Sequence, residues 1–176
     1  MFVKEDKGVV RFKIDDFVKL TTKRECKSIE IGNIDWILGA QSETSTRTND
    51  VKHLGVFLTC QNTSRSNLWS CNASIRFSLV KLNSNDKNDA FSMDFEQKFD
   101  VNAKILEVPN FKSWEEAICP KNGFIFDPFA VVEAHITIKN VVGIHEKVLK
   151  TFEKPDEHLT DVVLIVEGMK VHVGKQ

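Results

Sequence analysis

Four cysteines (Cys26, Cys60, Cys71, Cys119) and five histidines (His53, His135, His145, His158, His172) are the side chains here best suited to nucleophilic or metal chemistry. A thiol beside an imidazole can attack a carbonyl, and several such groups at short, regular spacing can hold zinc. Neither pattern occurs. No two cysteines form a C-x-x-C pair, and nothing in the spacing joins Cys60 or Cys71 to a histidine. His145 and His158 lie near Glu146, Glu153, Asp156 and Glu157, but at no recognisable ligand spacing. There is no G-x-S-x-G, H-E-x-x-H or P-loop segment. The carboxylates are scattered over turns, where solvated side chains are usual. The expectation is therefore no catalytic residue, no metal and no cofactor, with free thiols buried or half-buried in a reducing compartment.

Charge and composition narrow the remaining classes. The formal net charge is −1 over 176 residues, so no basic excess points to nucleic acid. Hydrophobic residues make up 41% and charged residues 28%, the profile of a globular domain. The opening MFVKEDKGVV carries charge at Lys4, Glu5, Asp6 and Lys7, which no signal-peptide core tolerates. No apolar run approaches the roughly 20 residues that span a bilayer. A cytoplasmic or nuclear location with no membrane contact is expected, and Asn62-Thr63-Ser64 and Asn72-Ala73-Ser74 read as chance glycosylation matches.

The elements that would position any site are strands. Short runs with a period of two cover Val9 to Ile14, Lys27 to Ile31, Asp35 to Gln41 after a turn at Gly32-Asn33, Val51 to Gln61, Trp69 to Leu82, Phe91 to Phe99 and Val131 to Ile138. In the fourth run Leu54, Val56, Leu58 and Cys60 share one face, and Gly55, Phe57 and Thr59 the other. Residues 83–88 (NSNDKN) read as a loop. Ser113-Trp114-Glu115-Glu116 matches a capping box for a short helix stopped by Pro120 and Gly123. About seven or eight short strands without strand–helix alternation predict an all-β antiparallel sandwich. Residues 139–160 turn polar, with Pro155 among charges, and read as a linker. Val162 to Val166, Gly168 and the alternating Val171 and Val173 then predict a β-hairpin.

The order of landmarks resembles the MATH (meprin and TRAF homology) domain. Arg11-Phe12-Lys13-Ile14 with Phe17, Gly32 with Trp36, Leu54-Gly55-Val56-Phe57-Leu58, Phe77-Ser78-Leu79-Val80, Pro109-Asn110-Phe111 with Trp114, Gly123-Phe124 and Val131 to Ile136 are similar to successive strands and turns of that family. The resemblance implies a TRAF-like sandwich of about eight strands over residues 9–140, after a tail at 1–8. Residues 160–168 (TDVVLIVEG), with Lys170, His172, Val173 and Lys175, resemble the opening hairpin of a BTB domain; residues 141–158 would be the linker and 159–176 the BTB start.

Proteins joining the two domains bind a substrate through MATH and recruit a cullin ubiquitin ligase through BTB. The resemblance thus implies a non-enzymatic module whose partners are peptide segments of other proteins. Other MATH-BTB chains are further candidate partners. Direct cullin binding is not expected of this sequence, which holds only the first hairpin of the BTB resemblance, so a non-recruiting competitor of full-length adaptors is an alternative. A scaffold or oligomerisation role is another, although no heptad run supports it. The implied peptide groove comprises Phe57, Ile75, Gln97, Leu106, Glu107 and Val108. Leu106, Glu107 and Val108 stand where relatives often carry Trp-Gly-Phe, and Phe57 and Gln97 replace tyrosines. These changes remove aromatic and hydroxyl anchors, so weaker binding or a different ligand is expected.

Overall fold

The computed structural model describes residues 6–62, 68–82, 89–126 and 128–144, and the backbone of 162–166 and 169–173. The loop at 83–88, the linker from residue 145 and the turn at Gly168 lie outside the described residues.

Alternating sequence produces two antiparallel sheets. The first has the order β1 (Asp6–Ile14), β10 (Phe129–Val142), β6 (Ser70–Val80), β7 (Ala90–Asp100), with β9 (Ile125–Phe126) pairing on β10. The second has the order β2 (Arg24–Glu25), β4 (Ile34–Glu43), β5 (His53–Gln61), β8 (Ile105–Ser113), with β3 (Ile29–Ile31) pairing on β4. Gly32 and Asn33 both take positive φ (61° and 60°), as a two-residue turn between β3 and β4 requires. A separate hairpin joins β11 (Val162–Val166) to β12 (Met169–Val173), the pairing the sequence predicts.

The inward rows fill the space between the sheets. Leu54, Val56, Leu58 and Cys60 from β5 face Cys71, Ala73, Ile75, Phe77 and Leu79 from β6, all at most 2% exposed. Trp36 on β4 meets Phe99 on β7 edge-on, with ring centroids 5.2 Å apart, and its indole N–H donates to the Ile31 carbonyl at 3.2 Å. Phe111 on β8 closes the far side of the core against Phe77 and Phe91. The short helix α1 (Trp114–Ile118) stacks Trp114 on Phe17 at 5.3 Å. Its capping box is incomplete: the Ser113 hydroxyl donates to the Glu116 carboxylate (2.9 Å) rather than accepting from helix backbone.

Strand β8 is the long strand that alternation misses. Pro109 and the run Pro109-Asn110-Phe111 break its period, because three residues of β8 oppose Gly55 alone between the pairs Val56–Val108 and Leu54–Lys112. Proline fits there because β8 is the last strand of its sheet and this stretch bulges out of the ladder.

Candidate functional site

Strand β8 pairs on one side with β5, and its other side closes the sheet order. The ladder decides which backbone groups stay available. The Cys60 N–H donates to the Lys104 carbonyl at 2.8 Å, which makes that position a hydrogen-bonded pair. Antiparallel pairs alternate, so Leu106 and Val108 also turn their backbone groups toward β5, opposite Leu58 and Val56. Ile105 and Glu107, opposite Thr59 and Phe57, therefore turn their N–H and C=O groups toward the side of β8 on which no strand pairs among the described residues.

The same register divides the six groove candidates between two faces. Phe57 and Glu107 are direct partners on the outer face of the second sheet. Leu106 and Val108 share the inner face with core residues Leu58 and Val56. Ile75 and Gln97 lie on the inner face of the first sheet, paired with Phe95 and Ala73. Leu106 and Gln97 are half-buried along the seam where β7 and β8 end their sheets, and the Gln97 amide donates to the Lys98 carbonyl at 2.9 Å. Ile75 is 1% exposed and Val108 5%, so both are core residues closed to a ligand, and their place in the implied groove needs correction. Each sits in an inward row bounded by other apolar side chains, which burial favours over a surface position.

Phe57 points outward, as the alternation predicts, yet is only 3% exposed. Its ring lies over Gly39, its partner on β4, and a Cβ at residue 39 would fall inside that ring. Lys23 places its ammonium 4.0 Å from the ring centroid and is held by Glu25 at 3.0 Å. An open aromatic surface at Phe57 is thus replaced by a filled notch with a charged cover. One signal was available for this arrangement: a glycine inside a strand marks close approach by a neighbour. The pairing of β2 beside Gly39, which brings Lys23 to the ring, is seen only in the structure.

Beyond Phe57 the outer face carries charge and apolar surface side by side. Arg47 donates to Glu107 at 2.9 Å and lies 3.7 Å from Glu43. Ser45 and Gln41 also donate to Glu43. A shallow hollow of about 550 Å³ adjoins this group, lined by Val101, Asn102, Ala103, Lys104, Ile105 and Glu107. Ile105 is 45% exposed and Val101 37%, so the hollow offers apolar surface next to a carboxylate. Ile105 escapes sequence reasoning because its strand does, and Val101 lies in the connection between β7 and β8.

A second concavity of about 630 Å³ lies on the outer face of β10, β6 and β7. Its charges are spent on cross-strand pairs. Arg76 holds Asp94 through two hydrogen bonds (2.6 and 3.0 Å), and Lys139 and Ser74 both donate to Glu96. These donors keep both carboxyls below their ordinary pKa. Such carboxylates stay ionised at neutral pH, the opposite of a general acid. Burial pushes the Cys60 thiol up, and the Cys71 thiol up to about 12, which removes the thiolate a nucleophile needs. Among the described residues no cluster of three or more His, Cys, Asp or Glu side chains could hold a metal ion.

A sandwich with a bulged final strand is thus the setting for any activity, and a family model for the MATH domain matches residues 14–138 of it. The chain belongs to the MATH domain family. It is 57% identical over 173 residues to BTB and MATH domain-containing protein 36 of Caenorhabditis elegans, covering 98% of this chain and 54% of that protein. It is 30% identical over 168 residues to BTB and MATH domain-containing protein 38 of the same organism, covering 96% and 42%. BTB and MATH domain-containing protein 15 of that organism is 29% identical over 130 residues, 73% of this chain and 44% of that protein. The chain therefore spans about half the length of the curated relatives it matches. Membership of the MATH family, together with relatives that pair MATH with BTB, makes this a protein-interaction module.

Proposed function

We propose that this MATH domain binds an extended segment of a partner protein along the open edge of β8. The observation that carries the reading is the outward direction of the backbone groups of Ile105 and Glu107 at the end of a sheet. A strand added there forms main-chain hydrogen bonds, and its side chains alternate between the two faces. The division of candidate residues then makes sense. One set of ligand side chains meets Leu106 and Gln97 along the inner seam, and the other meets Ile105 and Glu107 outside.

By resemblance to adaptors that join MATH to BTB, the domain would select substrates for cullin-dependent ubiquitination. The cullin contact would belong to the BTB part of such adaptors. The hairpin β11–β12 is read as the opening of that BTB unit.

Affinity purification with mass spectrometry from cells expressing this chain tests the reading, with Glu107→Pro as the comparison. That substitution deletes an edge N–H while leaving the ladder to β5 its donors. Loss of specific partners from Glu107→Pro supports edge pairing. An identical partner set in both samples, or none above the empty control, overturns it. Direct cullin recovery would overturn the assignment of that contact to the BTB part of such adaptors.

A further inference from the structure

The outer row of β8 presents two different chemistries in sequence. Ile105 and Glu107 are two residues apart, hence on one face and about 7 Å from each other along the strand. Ile105 is 45% exposed beside Val101, and together they form the apolar side of the 550 Å³ hollow. The Glu107 side chain is also 45% exposed. Arg47 sits between Glu107 and Glu43, at 2.9 and 3.7 Å, so one guanidinium serves two carboxylates. Lys104 stands beyond Ile105, three residues along the chain and about 10 Å from Glu107, where solvent and salt weaken its influence. Lys23, over Phe57 beside Glu107, is matched by Glu25 at 3.0 Å, so Glu107, Glu43 and Arg47 together leave one negative unit in excess.

Resting on the edge-pairing reading above, we propose that Glu107 is the residue that sets ligand charge. The partner segment carries a Lys or Arg facing Glu107 and an apolar residue two positions away facing Ile105 and Val101. Edge pairing places one outward ligand side chain beside each of these β8 residues, because both strands share the two-residue period. A basic ligand group shares Glu107 with Arg47, using the acceptor capacity that the Arg47 bond to Glu107 Oε2 leaves, whereas Glu43 already accepts from Ser45 and Gln41. An acidic group at the same place meets Glu107 and Glu43 together. Apolar surface two residues off fixes the register, since a one-residue slip sends both side chains to the inner seam.

Phage display of random 12-residue peptides on the immobilised 176-residue chain reads this directly. Wild type is expected to enrich sequences with an apolar residue and a Lys or Arg two apart. Glu107→Lys is expected to shift the enriched charge to Asp or Glu. For a synthetic peptide taken from the wild-type pool, Glu107→Gln should weaken binding by about three- to tenfold at low salt, with the difference shrinking as salt rises. Peptides enriched with the same charge preference on wild type and Glu107→Lys overturn the assignment of Glu107 while leaving edge binding intact. Failure of wild type to enrich any peptide, with circular dichroism showing a folded sandwich, overturns edge binding and this assignment with it.

Discussion

The ring of Phe57 fills the space that a side chain at Gly39 would need. The two residues are direct partners on β5 and β4, and the ring crosses the position of the missing Cβ. Gly39→Ala therefore forces the ring out of its notch. The expected cost is about 1–3 kcal/mol, the range for overpacking a filled site. A lowered urea midpoint, with loss of NMR contacts between Phe57 and Lys23, is the expected outcome. An unchanged midpoint would mean the ring has another resting place at no cost.

Phe57 itself is held by packing more than by exposure to a ligand. At 3% exposed it behaves as an outlying piece of core, so Phe57→Ala should destabilise the domain by about 3 kcal/mol. A binding defect in that variant would be ambiguous. Lys23→Ala is the cleaner probe: it uncovers the ring, and a lone exposed cation–aromatic contact contributes only about 0.5–1 kcal/mol. Denaturant titration of both variants should show the large and the small effect in that order.

The buried thiols give the domain an alkaline limit. Burial raises the Cys71 pKa from 9.0 to about 12, and raises Cys60 as well. Both states keep these protons below the unfolded value, so stability is unaffected there. Above about pH 9 the unfolded chain releases protons that the folded chain retains, and stability falls until the folded thiols also ionise. Each thiol contributes a slope of about 1.4 kcal/mol per pH unit in that window. Urea midpoints between pH 8 and 10.5 should decline, and the decline should flatten in a Cys60→Ala, Cys71→Ala variant. Alkylation of the native protein should reach the half-buried Cys26 and Cys119 before either core thiol.

Much of this architecture was legible because burial on one face writes itself into every second residue. Leu54 to Cys60 and Ala73 to Leu79 show the period, and both inward rows appear where it places them. Strand β8 was not legible, because a bulge at Pro109 shifts the period within nine residues. The site suffered most from that gap. Ile105 and Val101 could not be proposed without knowing that β8 is a strand, and the faces of Leu106, Glu107 and Val108 could not be separated. Alternation correctly turned Phe57 outward, but it records direction, and the cover formed by Gly39 and Lys23 comes from neighbouring strands. Ile75 stood in a row that alternation alone assigns to the core, and the groove role implied by resemblance does not outweigh its 1% exposure.

The bulge that hides β8 also supports its position, and Gly55 is where it can be tested. A Cβ on Gly55 would lie 3.2 Å from the Pro109 carbonyl oxygen and 3.3 Å from its Cα, both backbone atoms. Backbone cannot rotate away as a side chain can, so Gly55→Ala must move β8 by a few tenths of an ångström or open the bulge. Gly8→Ala is the matched comparison. Its added Cβ would also be crowded, at 2.6 and 2.7 Å, but by Cδ1 and Cγ1 of the Ile31 side chain, which can adopt another rotamer. Gly55→Ala should lower stability by about 1–3 kcal/mol and Gly8→Ala by less. Amide chemical shifts separate the mechanisms further. Gly55→Ala should disturb Ile105 to Phe111 along β8, where the proposed ligand pairs, while changes in Gly8→Ala should stay near β1 and β3. Undisturbed β8 amides in Gly55→Ala would show that the bulge absorbs a methyl group, and the edge would then be set by the ladder from Thr59 to Val56 alone.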